Sequence, residues 1–181
     1  MNTLIETERL LLREITLADT ADMFRLHSHP VVQQYTGESV IESVAEMERI
    51  VQRRIRDYAR IGYGRWATVL KEGQQFIGWS GLAYLPEFDA TDIGYRFLPE
   101  FWGKGLATEA SKAILTYAFD QLDLQRIIAL AMKENTASIR VMEKIGMAFE
   151  KYAPYEPGSI DVAWYWRDKE LIRKHRLLSN G

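Results

Sequence analysis

From Gly94 to Ala110 the chain passes from a strand-like run (Tyr95-Arg96-Phe97-Leu98) through Pro99-Glu100-Phe101-Trp102-Gly103-Lys104-Gly105 into Leu106-Ala107-Thr108-Glu109-Ala110. A glycine-bearing turn that leads straight into a helix suits one chemistry above others, the holding of a phosphate. The first N–H groups of a helix have no intrahelical acceptor and its dipole is positive at that end, so an anion placed there meets free donors. Gly103 and Gly105 let the backbone come close, since a side chain at either place would fill the space of the phosphate oxygens; the small Ala107 serves the same end. Two well-known phosphate loops do not fit. A Walker A loop has Ser or Thr after its lysine, whereas Lys104 precedes Gly105. A dinucleotide fingerprint needs a third glycine where Thr108 stands, and it follows the first strand of a parallel unit. Taken alone, the glycines are equally consistent with a tight connection.

Composition closes off other chemistries. The 181 residues include no Cys, which excludes disulfides, thiolate metal sites and a covalent cysteine mechanism. The histidines are His27, His29 and His175, too few and too scattered for a zinc shell, so no metal is expected. Lys plus Arg (23) nearly balances Asp plus Glu (25), the wrong balance for a nucleic-acid binder, and no DNA partner is expected. Met1 to Glu8 carries two carboxylates and no apolar core, and the longest apolar run is Ile127 to Met132. Neither a signal peptide nor a membrane span fits, and the expected location is the cytoplasm.

The elements that must position the glycine turn follow from periodicity. Arg9 to Arg13 reads as a strand, and Thr16-Leu17-Ala18-Asp19 as a capping box opening a helix through Leu26, which His29-Pro30 breaks. Ile41, Val44, Met47, Val51, Ile55 and Tyr58 form an apolar stripe on a long helix ended by Gly62, with Arg53, Arg56 and Arg60 on a solvated face. Trp66 to Leu70 and Gln75 to Leu82 flank Lys71-Glu72-Gly73-Gln74 as a hairpin, and Asp92 to Leu98 adds a third strand after the acidic loop Glu87-Phe88-Asp89. A helix from Leu106 past Tyr117, a buried strand Arg126 to Met132, and a helix carrying Ser138, Val141, Met142 and Ile145 follow. Met147 to Tyr152 and Asp161 to Arg167 close the sheet as antiparallel strands. The expectation is one α/β domain over residues 1–181, a mixed, mostly antiparallel sheet with helices on both faces.

The segment Gly94 to Ala110 resembles the acetyl-CoA-binding motif of the GCN5-related N-acetyltransferases (GNAT), in the branch containing the ribosomal-protein N-terminal acetyltransferases RimJ and RimL. Thr7-Glu8-Arg9-Leu10-Leu11-Leu12-Arg13 resembles that branch's opening strand, and Asn135-Thr136-Ala137-Ser138 with Lys144-Ile145-Gly146 its second cofactor motif. The resemblance implies a sheet splayed between the fourth and fifth strands, into which pantetheine inserts. Phe97 and Leu98 would offer it backbone bonds, Gly103, Lys104, Gly105, Leu106, Ala107 and Thr108 would wrap the pyrophosphate, and Asn135 would meet the pantetheine arm. A strand that loses its neighbour must satisfy its N–H and C=O groups elsewhere, and an amide-rich arm can act as the missing strand.

Two positions depart from the family pattern. Trp102 stands where the broad family has Gln or Arg, removing one polar contact. Met142 stands where many members have a tyrosine acid, and a thioether has no proton to give. Ser138, three residues after Asn135 on the same helical face, is the nearest substitute proton donor. Asp92, at the start of the strand leading to the cofactor turn, is the candidate base, with Glu87 and Asp89 as alternatives; burial or the charge of those two neighbours would raise its pKa, and the three acids together would attract a cationic amine. The implied activity is acetyl transfer from acetyl-CoA to a primary amine, a protein N-terminus or a small molecule, by direct attack in a ternary complex, in a monomer or homodimer. A noncatalytic acyl-CoA-binding or sensor domain is the alternative.

Overall fold

The computed structural model describes residues 3–170. In chain order its elements are β1 (Thr3–Glu6), β2 (Leu10–Arg13), α1 (Thr20–His27), α2 (Pro30–Gln33), α3 (Val44–Ile61), β3 (Arg65–Leu70), β4 (Gln75–Leu85), β5 (Ala90–Phe97), α4 (Leu106–Asp120), β6 (Arg126–Met132), α5 (Thr136–Lys144), β7 (Ala148–Pro154) and β8 (Asp161–Asp168). The strands form one mixed sheet in the order β1-β2-β3-β4-β5-β6-β8-β7, antiparallel except where β5 meets β6.

Strand alternation sorts the side chains onto two faces. Trp66 pairs across to Ser80 and Ser80 to Tyr95, so these share one face, and Trp66 meets Tyr117 of α4 edge-on at 5.6 Å. Ala67, Trp79 and Arg96 share the other, where α1 and α3 pack. On α3, Met47, Val51 and Tyr58 are buried at helical spacing; Ser43 Oγ caps its start by accepting from Glu46 N–H, and Gly62 ends it at φ +88°. On α4, Leu106, Ala110, Ile114, Leu115 and Ala118 turn inward. Buried side chains from both faces form one main core.

Several expected boundaries move. A short strand, β1, precedes the expected first strand and pairs with it, so the expected fourth and fifth strands are the fifth and sixth here. Thr16 and Asp19 do form a capping box, but around a single tight turn, Leu17–Asp19, before α1. Pro30 breaks α1 as expected and then opens the one-turn α2, where its missing N–H costs nothing. Ile41 lies ahead of α3, its N–H donating to His27 C=O. His175 lies outside the described residues.

Candidate active site

The parallel junction of β5 and β6 is brief. Thr91 pairs with Ile127 and Asp92 with Ile128; beyond these the strands part, β5 running on to Phe97 and β6 to Met132. This is the splay that the resemblance implied. Leu98 N–H donates to Ile77 C=O at 2.9 Å, and Gly78 stands opposite Phe97. Antiparallel pairs alternate between bonded and non-bonded, so the backbone groups of Ile93, Tyr95 and Phe97 point away from β4; the Ile93 N–H is taken up in the last step of pairing with β6, and its C=O with the groups of Tyr95 and Phe97 faces the splay. Gly78 permits the close pairing there: at φ +144°, a Cβ would lie 2.8 Å from Phe97 Cα and run into the Arg96 carbonyl. The Leu98 backbone is engaged on both sides, its C=O accepting from Phe101 N–H, so of the two residues expected to offer backbone bonds Phe97 is the one facing the splay.

The turn after β5 is held from several directions. Trp102 is 47% exposed, yet its Nε1–H donates to Phe97 C=O at 2.7 Å, so the indole supplies a polar contact of its own. Gly103 and Gly105 adopt φ of +73° and +77°, and Gly105 caps α4 with no side-chain cap bond. Glu109 N–H, bonded to Gly105 C=O, makes the first bond of the helix. Among the described residues the N–H groups of Gly103, Lys104, Gly105, Leu106, Ala107 and Thr108 have no acceptor. Six consecutive donors at the positive end of a helix of 15 residues form a ready anion cradle.

Arg9 and Thr7 fix that cradle, a role the sequence did not signal. Arg9 Nη1 donates to Lys104 C=O at 3.0 Å and its Nε to Glu109 Oε2 at 2.6 Å. Glu109 Oε1 accepts from Thr7 Oγ1 and from Arg9 N–H. Burial alone would raise the Glu109 carboxyl, but these bonds outweigh it and hold it below the ordinary glutamate value.

Ser138 sits half-buried in the first turn of α5, where Asn135 Oδ1 caps the helix by accepting from Ser138 N–H at 3.1 Å. Its Oγ lies 3.1 Å from the Tyr95 hydroxyl. Tyr95 was missed in sequence because it read only as a strand residue; burial raises its pKa, and the bond to Ser138 partly offsets that. Met142 is buried in the core.

Asp92 is buried on the opposite face from Tyr95, at the point where β5 and β6 part. Its Oδ2 pairs with Arg65, whose guanidinium lies over Gly94, where a Cβ would come within 3.0 Å of Arg65 Nη1. Oδ1 accepts no hydrogen bond among the described residues. Of the two expected causes it is burial that raises the Asp92 carboxyl, and Arg65 pulls it back. Glu87 and Asp89 are not among the groups that shift it; they accept from the Tyr155 and Tyr84 hydroxyls at 2.5 and 2.7 Å. No cluster of three or more potential metal ligands occurs among the described residues. A groove of about 430 Å³ lined by Lys112, Lys144 and Arg167 shares no residue with the splay or the cradle.

This geometry has clear relatives. YoaA of Bacillus subtilis (strain 168), an N-acetyltransferase not yet characterized, is 32% identical over 148 residues, 81% of this chain and 84% of its own. Spermidine N(1)-acetyltransferase of Escherichia coli (strain K12) is 28% identical over 143 residues, 77% of this chain and 73% of its own. The crystal structure of a GNAT-family acetyltransferase from Bacillus anthracis superposes with a TM-score of 0.79 at 30% identity, covering 92% of this chain and 98% of that one. The sequence profile of the acetyltransferase (GNAT) domain matches residues 9–148, which include the cradle, the splay and α5. A sheet that opens beside six free N–H donors, matched over most of its length by that profile, places this chain in the GNAT family of acetyltransferases.

Proposed function

We propose that the protein transfers the acetyl group of acetyl-CoA to a primary amine in a ternary complex. The cradle of unpaired N–H groups at residues 103–108, opening beside the splayed edge of β5, carries this reading. A pyrophosphate fits the cradle and an amide-bearing arm fits the edge presented by Ile93, Tyr95 and Phe97, with the Asn135 amide beside it. When bound, acetyl-CoA supplies an acetyl group already activated as a thioester. The chain's own part is to hold that thioester next to an amine, which accounts for much of the acceleration of such a reaction, and to handle two protons.

Asp92 and the Tyr95–Ser138 pair lie on opposite faces of β5 where it borders the splay. Asp92 Oδ1 is free to accept a proton from the ammonium, directly or through water, leaving a neutral amine to attack the thioester, while Arg65 fixes Oδ2. Ser138, with the Tyr95 hydroxyl behind it, can give a proton to the departing thiolate, the task for which Met142 is unfit. These paired groups favour an enzyme over a noncatalytic acyl-CoA binder.

A thermal shift tests the reading. Acetyl-CoA at a hundredfold over its Kd adds about 2.7 kcal/mol, a rise of about 5–10 °C for a domain of this size. The rise should persist in the presence of a chelator and be lost in Gly105→Val, which must force a branched side chain into a left-handed backbone. An undiminished shift in a folded Gly105→Val protein would remove the cradle from the account.

A further inference from the structure

On the face covered by α1 and α3, three guanidinium groups surround one indole. Arg54 of α3, Arg65 of β3 and Arg96 of β5 lie 5.0, 5.1 and 5.2 Å from the centre of the Trp79 ring. Two carboxylates answer them, Asp92 on Arg65 and Glu38 on Arg96, the latter at 2.9 Å. Arg54 makes no ion pair or hydrogen bond among the described residues, and its Nε is buried without a partner. Burial, with Arg65 and Arg96 close by, lowers its proton affinity to about 10, still charged at neutral pH.

His27 adds a second mismatch. Its Nε2 lies 3.1 Å from Trp79 Nε1 and its Nδ1 3.0 Å from Arg96 Nη1, and an indole N–H and a guanidinium N–H can both only donate. Burial and the charges of Arg96 and Arg54 push the imidazole down to about 3, so the ring is neutral and has one lone pair for two donors. Whichever nitrogen carries the ring proton, two donors point at one another beside an excess guanidinium, an arrangement that a nearby anionic acceptor would relieve. Glu38 shows which chemistry fits. Its side chain is 61% exposed, on a loop whose Gly37 would bring a Cβ within 3.7 Å of Met132 Cε at the far end of β6, and it reaches in to Arg96.

We infer that Arg54 and Arg96, beside His27, form a carboxylate subsite of the acceptor pocket, so that the acetylated amine belongs to a molecule that also carries a carboxylate. The inference rests on the acetyltransferase reading and sharpens it. Arg96 lies on the same face of β5 as Asp92, the proposed base, and Arg65, which holds Asp92, shares the Trp79 ring with Arg96, so amine and carboxylate would be bound on one face within the reach of a small molecule such as an amino acid. A polyamine would bring further positive charge against three guanidiniums.

The test uses the full chain and a panel of amino acids with amine and carboxylate at different spacings, each paired with its carboxamide, reading release of CoA thiol from acetyl-CoA. At least one pair should favour the carboxylate in kcat/KM by about ten- to a hundredfold, the range of a charged hydrogen-bonded contact. Arg54→Met, whose folded state is verified by its acetyl-CoA thermal shift, should bring that ratio near one through KM. Carboxamides used as well as carboxylates by the parent chain, or a ratio unmoved in folded Arg54→Met, would overturn the subsite while leaving the acetyltransferase reading intact. Thiol release from no amine at all, with no acetyl-CoA shift, would overturn both.

Discussion

A hydroxyl pair is the proposed replacement for a missing acid. Ser138 Oγ and the Tyr95 hydroxyl are 3.1 Å apart, and whichever gives its proton to the thiolate can be resupplied by the other. Ser138→Ala is expected to lower kcat by about ten- to a thousandfold with little change in acetyl-CoA affinity, and Tyr95→Phe to lower it less, since Ser138 remains. Single-turnover kinetics with a separate titration of acetyl-CoA would distinguish this from equal losses of rate and affinity, the mark of a positioning role. Asp92 carries a raised carboxyl and must be ionised to take a proton, so the rate should climb as pH rises through its pKa. Asp92→Asn should lower kcat and remove that acidic limb; an unchanged profile would assign the base elsewhere. Ser138 and Asp92 could be singled out in sequence as candidates because each has a fixed offset from a recognisable motif. Tyr95 was not, because its role arises from a contact across 43 residues that no local pattern encodes.

At the scale of elements, the active site is a consequence of two strands that stop pairing. The glycine turn and the helix after it could be read from local chemistry, since donors, small residues and an apolar period are contiguous there. The clamp on that turn could not. Arg9 reaches Lys104 and Glu109 about a hundred positions away, through a strand whose own pattern says only that it is apolar. The short β1 escaped notice for a related reason: Thr3 to Glu6 is too brief for alternation to stand out, and its pairing with β2 defines it. The clamp has a measurable function. In Arg9→Ala the Lys104 carbonyl and the Glu109 carboxylate lose their common partner, and the turn is no longer held to β2. The expected result is acetyl-CoA affinity reduced about tenfold, the worth of a charged hydrogen bond, with the melting temperature of the ligand-free protein lowered by only a few degrees. A loss confined to ligand-free stability would make Arg9 a fastener of β2 alone.

The whole molecule stores opposing ionic preferences that set its response to acid. Burial alone would raise the Asp19 carboxyl, but its bonds to Arg13 and to Thr16 outweigh that and hold it below the ordinary aspartate value. A carboxyl lowered by folding stabilises the fold above its unfolded pKa, and the contribution is lost as pH falls through the folded one. Since both side chains of the Arg13–Asp19 pair are largely buried, Asp19→Ala should cost about 3 kcal/mol at pH 7, or about 6–12 °C in melting temperature. His27 acts in a higher window. Its folded pKa of about 3 lies below the unfolded value of 6.5, so the fold must keep the ring neutral while the unfolded chain binds a proton. The stability that depends on neutral His27 is therefore complete above pH 6.5 and falls by up to about 1.4 kcal/mol per pH unit below it, until the folded ring itself titrates. Asp92 opposes this loss, because a carboxyl raised by burial favours the folded state as pH drops through its folded value. The net slope of one protein cannot separate the two, whereas a difference between variants can. Urea unfolding of the parent and of His27→Gln, whose amide can still accept from Trp79 Nε1 without titrating, should give stability differences that narrow by about 2 kcal/mol between pH 6.5 and pH 5. Parallel curves for the two proteins would mean that His27 is protonated in the folded state after all.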